Sequence, residues 1–148
     1  VLETVGGMSV QKKLFLFAAA LVAKENKGTA PSPVVYDTYK ILCEGSDMGI
    51  YTQEAVNSHI NKAGTYGVLE SERASGDFKS GVHLVFKFTE PVGAVLETLS
   101  EDSRLQDIPT EELGEIVRRH LRDLVFTSFR QILARLSRQI RVPLFSQR

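Results

Sequence analysis

Residues 52–88 read TQEAVNSHINKAGTYGVLESERASGDFKSGVHLVFKF, and inside this stretch the hydrophobic period changes from about 3.6 to 2. Thr52 is placed to cap a helix on which Val56, Ile60 and Ala63 share one face, while Gln53, Asn57, Asn61 and Lys62 are assigned to the opposite, polar face. Gly64 and Gly67 punctuate its end. From Val68 the pattern alternates. Val68 to Arg73 reads as one strand, and Val82, Leu84, Phe86 and Phe88 alternate with His83, Val85 and Lys87 in a second. Ala74 to Gly81, between them, is rich in turn formers. A helix running straight into a β-hairpin with a long tip decides the fold.

The flanks complete the pattern. Upstream, Met8 to Asn26 is a predicted helix capped by Ser9, with Leu14, Phe15, Ala18, Leu21 and Val22 in a wide stripe. Leu16 and Phe17 lie off that stripe, so the helix is expected to be covered on more than one side. Thr29 to Ser32 is expected to be a loop, with Ser32 as cap and Pro33 as first residue of a second helix carrying Val35, Tyr39 and Leu42. Gly45 closes that helix, and a short turn leads to Thr52. Downstream, Thr89, Glu90 and Pro91 open a short helix with Val92, Val95, Leu96 and Leu99 in register. Helix, helix, turn, helix, hairpin, helix is the order of a winged helix-turn-helix domain, here residues 8–99 and mainly α with a β-hairpin wing.

Residues 100–109 are then expected to be a polar linker without regular structure. An Arg-rich amphipathic helical extension follows over residues 110–142, stopped by Pro143. Its apolar seam is Leu113, Val117, Leu121, Leu124, Phe129, Ile132, Leu136 and Ile140. Roughly 30 residues of helix span about 45 Å, more than the body before it can easily cover.

The chain of 148 residues suits one domain plus an appendage, and 43% hydrophobic residues suffice for a core. Lys plus Arg and Asp plus Glu both number 18, but the cancellation hides an asymmetry. Residues 1–116 hold 17 acids against 10 bases, whereas residues 117–148 hold eight arginines against Asp123 alone. A single cysteine, Cys43, excludes an internal disulfide and points to a reducing compartment, nuclear or, for an archaeal source, cytoplasmic. The apolar run Leu14 to Ala23 is about half the length a membrane span requires, so no membrane partner is expected. A first residue of Val is expected of a piece of something longer.

Enzymatic chemistry is not expected. His59, His83 and His120 sit on three different predicted elements, so neither a metal site nor a cofactor is assigned, and Cys43 reads as a small core residue. No Ser, His and carboxylate set stands out as catalytic. Two surfaces remain. Gln53, Asn57, Asn61 and Lys62 are of the types that read base edges, and Arg73 and Lys79 on the wing are suited to phosphates, so duplex DNA is one expected partner. Glu54, Glu70, Glu72 and Asp77 oppose that reading. The second surface is the C-terminal helix, with Arg118, Arg122, Phe126, Phe129, Leu133 and Leu136 as its partner-binding set. It either contacts DNA or a membrane surface, or docks its seam on a partner, its arginines meeting the acidic 90–116 segment; docking is favoured because the seam is too apolar to stay exposed. The docked partner is its own domain or a second copy, and a homodimer is expected.

Four pieces carry a family resemblance. The opening helix Ser9-Val10-Gln11-Lys12-Lys13-Leu14-Phe15-Leu16, the second helix Val34-Val35-Tyr36-Asp37-Thr38-Tyr39-Lys40-Ile41-Leu42-Cys43, the exit Tyr66-Gly67-Val68-Leu69-Glu70 and the helix end Leu96-Glu97-Thr98-Leu99 are similar to the C-terminal winged-helix domain of the origin-recognition and initiator-loader ATPases. The resemblance covers about 90 residues. It implies a non-catalytic module that helps a parent ATPase hold duplex origin DNA, with the helix after Thr52 at the major groove, the wing on the backbone, and other initiator or chromatin subunits as further partners. The ATPase domain is then expected upstream of Val1. The alternative that the resemblance carries is a protein-interaction or dimerisation module of a related chromatin-silencing protein. The Arg-rich helix has no counterpart in the family pattern.

Overall fold

The computed structural model describes residues 5–46, 48–65, 67–74 and 83–140; the wing tip with Lys79 and the tail after Ile140 lie outside the described residues. The elements run α1 (Val10–Glu25), β1 (Thr29–Pro31), α2 (Ser32–Gly45), α3 (Gln53–Thr65), β2 (Leu69–Ala74), β3 (His83–Phe88), α4 (Val92–Ser100), a 3-10 turn (Ser103–Leu105) and α5 (Thr110–Ile140). Among the described residues no helix is long and apolar enough to cross a membrane.

Everything is laid around α1. Ser9 caps it, its hydroxyl accepting from the Lys12 amide at 3.4 Å. Every residue from Lys13 to Ala23 is buried, because α2, α3, α4, α5, β1 and β3 all pack against it. Apolar residues all round are what a helix needs to be covered all round, and Ala18, Ala19 and Ala20 leave room for close neighbours. The chain reverses at its end with Lys27 and Gly28 both at positive φ, and the Gly28 amide returns to the Ala23 carbonyl at 2.8 Å.

That reversal delivers β1, where the sequence led us to expect a loop. Thr29, Ala30 and Pro31 pair antiparallel with Lys87, Phe86 and Val85, giving a three-stranded sheet in the order β1-β3-β2. Pro31 is tolerated because β1 is an edge strand. Pro31, not Ser32, is the cap residue of α2; Ser32 is its first residue and is buried, and no side-chain bond caps the helix. The hairpin register pairs Leu69 with Phe88 and Ala74 with His83, with Leu69 and Phe86 in the core and Leu84 and Phe88 packed against it. Cys43 is a buried core residue, and burial pushes its thiol pKa up.

The segment between α4 and α5 is not a free linker. Leu105 is buried, and Asp102 caps the 3-10 turn by accepting from the Arg104 amide at 3.0 Å. Its carboxylate also takes Arg104 Nη2 at 2.7 Å and Lys13 Nζ at 3.0 Å, from side chains that leave Asp102 only 7% and Lys13 only 10% exposed. A lysine facing the core side of α1 therefore meets its charge partner 89 residues away.

From that anchored turn, α5 runs for 31 residues, about 46 Å. Leu113 and Val117 are buried, and Ile116, Leu121 and Leu124 pack on the core. A Cβ at Gly114 would stand 3.1 Å from Glu25 Oε1, and Arg118 Nη1 meets Glu25 Oε2 at 2.9 Å. Arg118 thus finds its acid on α1, not in the 90–116 segment that the sequence suggested. Among the described residues, the packing of α5 on the core runs from Leu113 to Leu124, whereas Leu133 and Leu136 are 47% and 44% exposed. The seam that we read as continuous is divided.

The Arg104 guanidinium first, then the Lys13 ammonium, hold the Asp102 carboxyl well below the usual carboxylate range. A carboxyl with a depressed folded pKa contributes stability above its unfolded value near 3.9, and loses it as pH falls toward the folded value. Asp102→Asn should lower Tm by several degrees at pH 7. The gap between variant and parent should narrow only below about pH 4 in thermal melts across a pH series.

Candidate nucleic-acid interface

The turn that aims α3 is fixed by aromatic residues and one glutamine. Tyr39, buried in α2, takes the Tyr51 amide on its hydroxyl at 3.1 Å and donates to Gln11 Oε1 at 3.2 Å. Gln11 Nε2 in turn donates to the Gly49 carbonyl at 3.0 Å, and Tyr36 donates its hydroxyl hydrogen to the Tyr51 carbonyl at 2.9 Å. The Phe15 ring joins this group, 4.6 Å from Tyr39 and stacked 4.9 Å from His59 of α3. Both backbone groups of Tyr51 are thereby tied down, which satisfies a turn that has no ladder of its own. Burial raises the Tyr39 phenol well above an ordinary tyrosine, so it stays protonated and able to donate.

Thr52 then starts α3, its Oγ1 accepting from the Ala55 amide at 3.2 Å. Val56 goes fully into the core. Gln53 is exposed at the helix N-terminus, as are Glu54 and Ser58 farther along the same outer surface. Asn57 differs from expectation. It is half-buried, and its Oδ1 is enclosed with no hydrogen-bond partner in the structure, because one step of about 100° from Val56 leaves it at the edge of the buried face. Asn61 and Lys62 belong to the last turns of α3 by position, and their side chains lie outside the described set.

On the wing, Glu70, Ser71, Glu72 and Arg73 of β2 are all exposed. Lys87 of β3 reaches diagonally to Glu72, Nζ to Oε2 at 3.1 Å, so one wing cation is already neutralised. Arg73 is the exposed cation of β2 nearest the tip. Ile50 and Tyr51, in the turn before α3, are 45% and 42% exposed and were not singled out from the sequence. The signal was two large apolar residues inside a segment that otherwise reads as a turn. Among the described residues no three His, Cys, Asp or Glu side chains converge as a metal site would need.

On the second surface, Arg118 and Arg122 are exposed on α5, Arg118 in its pair with Glu25, and Leu133 and Leu136 lie farther along the same helix. Phe126 and Phe129 fall between them on α5, and their side chains lie outside the described set. The structure therefore separates the two sets of site residues. Gln53, Asn57 and Arg73 belong to the helix-turn-helix and wing, whereas the α5 set lies on a different element.

Comparison with known proteins agrees with this fold. The family described as "CDC6, C terminal winged helix domain" matches residues 3–98. The ORC1-type DNA replication protein 14 of Haloarcula marismortui is 35% identical over 118 residues, covering 76% of this chain and 27% of that protein. The ORC1-type DNA replication protein 5 of Halobacterium salinarum is 28% identical over 127 residues, covering 82% and 30%. The chain thus spans under a third of the length of these relatives. Among solved structures, the Aeropyrum pernix ORC1 protein in complex with DNA superposes with a TM-score of 0.63 at 21% identity, over 71% of this chain and 27% of that one. Cdc6p from Pyrobaculum aerophilum superposes with a TM-score of 0.57 at 20% identity, over 68% and 25%. The relatives are haloarchaeal and lend no support to the nuclear and chromatin-silencing placement.

The Tyr39 hydroxyl is the joint of this surface. Tyr39→Phe should lower stability by about 1–2 kcal/mol, since it strands the Tyr51 amide and the Gln11 carboxamide. Hydrogen exchange should show faster exchange at Tyr51 than at the α1 amides.

The residues matched, the order of elements and the shared fold agree: this chain belongs to the CDC6 C-terminal winged-helix family.

Proposed function

We propose that this domain binds duplex DNA for a replication-initiator protein and contributes contacts, not a catalytic step. The observation that carries the reading is the presentation of α3. A turn tied at both backbone groups of Tyr51 holds an exposed helix N-terminus, with Gln53 at its first position and the wing strand bearing Arg73 beside it. A helix N-terminus favours phosphate through its free amides, and Gln53 can donate and accept at a base edge. The likeness of the fold to a chain solved with DNA supports the same reading.

In this proposal Gln53 and Asn61 face base edges, Lys62, Arg73 and Lys79 meet phosphates, and Ile50 with Tyr51 adds apolar contact with sugars and thymine methyls. Asn57 takes a lesser part, because its amide oxygen is turned inward. ATP chemistry belongs, on this reading, to the rest of the parent protein, whose place is the cytoplasm of an archaeal cell. Other initiator subunits are partners of that parent, and the α3 face is left to DNA.

Acids limit the affinity. Glu54 stands exposed on α3 and Glu70 and Glu72 on β2, near the proposed contacts, and Glu72 already occupies Lys87. Duplex binding should therefore be weak and steeply salt-dependent. In fluorescence anisotropy near 50 mM salt, Lys62→Glu should weaken binding by about tenfold, and Arg73→Ala should reduce the log–log salt slope by about 0.9. Gln53→Ala should change preference among sequences more than it changes the slope. Absence of duplex binding at that salt, or equal binding by all three variants, removes this reading.

A further inference from the structure

The distal half of α5 carries an apolar stripe by helical register, and its described members, Leu133 and Leu136, are 47% and 44% exposed. At about 100° per residue, Leu113, Val117, Leu121 and Leu124 fall in one sector of the helix. Phe126, Phe129, Leu133, Leu136 and Ile140 fall in another, whose centre lies roughly 145° around the axis. The first sector is the one that packs on the core. In the second, Leu133 and Leu136 are among the most exposed large apolar residues described.

The spacing of the second sector has a meaning of its own. Steps of three, four, three and four are those of a heptad seam, the pattern by which one helix receives another. The charges identify the occupant. No acid follows Asp123, yet the flanks of the seam carry a single arginine: by register they are Val125, Ile132 and Gln139 on one side and Arg130 and Ser137 on the other. Arg135 and Arg138 take outer positions. A seam built for an acidic helix would set its arginines on those flanks, where they meet the partner's acids. A nearly uncharged flank instead suits a partner with the same flank.

Orientation follows from the other half of the helix. Glu111, Glu115, Arg118 and Arg122 share the sector of the stripe, N-terminal to Phe126. Parallel pairing would set each of them against its own copy, acid on acid and base on base. Antiparallel pairing about Leu133 lays residues 126–140 on themselves, removes those oppositions and carries the two folded bodies to opposite ends. We propose that this stripe of α5 is a self-association surface, on which a second copy of the chain docks antiparallel with Leu133 at the centre. The surface is separate from α3 and the wing, so the proposal stands or falls independently of DNA binding.

Sedimentation velocity on the 148-residue chain, from low micromolar to millimolar concentration, should show a reversible monomer–dimer equilibrium. Leu133→Asp changes an exposed position, so it should leave the circular dichroism of the dilute chain unchanged while weakening the dimer by about tenfold or more. Oxidative cross-linking gives the orientation, with Cys43 buried and silent. Leu133→Cys should form a disulfide dimer by itself. Phe126→Cys and Ile140→Cys should do so only when mixed. A chain that is monomeric throughout, a dimer indifferent to Leu133→Asp, or self-linking by Phe126→Cys as efficient as by Leu133→Cys overturns the proposal. So does a monomer whose Leu133 is needed instead for binding anionic lipid vesicles or duplex DNA.

Discussion

Enclosure of α1 is the constraint on which the other elements depend. A helix buried from Lys13 to Ala23 has no solvent face, so six elements must be brought around it before any of its apolar area is fully removed from water. That requirement explains two features that look like accidents. A three-residue strand at Thr29–Pro31 exists because the chain leaving α1 must turn back and cover its end. The segment after α4 is drawn inward because Lys13, on an otherwise apolar surface, needs a carboxylate. Asp102 supplies it, and Leu105 is carried in with it.

The aromatic joint beside Gln11 joins this core to the surface proposed for DNA. Phe15 belongs to the enclosed helix, Tyr39 to α2, Tyr51 to the turn and His59 to α3, and their rings stand within 6 Å of one another in a chain of contacts. The attitude of α3 is thus set from beneath by the packing of α1. The wing is set differently, by its pairing with β3, itself held between β1 and β2. The outer strand β2 shows a run of charged and polar side chains, which discourages pairing with a further strand.

How far the sequence disclosed this depends on the range of each interaction. The passage from α3 into the hairpin was plain because a change of period is a local signal, and the burial of α1 was plain from Leu16 and Phe17 lying off its stripe. β1 was hidden, since three residues ending in proline have no alternation and their partners lie far along the chain. Asp102 read as one more acid in a polar linker, for Lys13 stands 89 residues away. Gln53 was placed as it was read, whereas Asn57 was counted as outward although it sits beside Val56 at the margin of the buried face. The two sectors of α5 were present in the sequence, but they share steps of three and four and so look like one seam until the rotation between them is followed. Arg118 was matched to the nearest acids along the chain, and its acid proved to be Glu25 on another helix.

The clamp between Glu25, Gly114 and Arg118 also makes α5 a lever. The helix is held from its first turns to Leu124, the last side chain described against the core, and from there to Ile140 it extends about 24 Å. A rotation of ten degrees there carries the far end through roughly 4 Å. Whatever the distal half meets is therefore positioned by the end of α1, and a side chain larger than glycine at position 114 would change the aim of the helix before it disturbed the core.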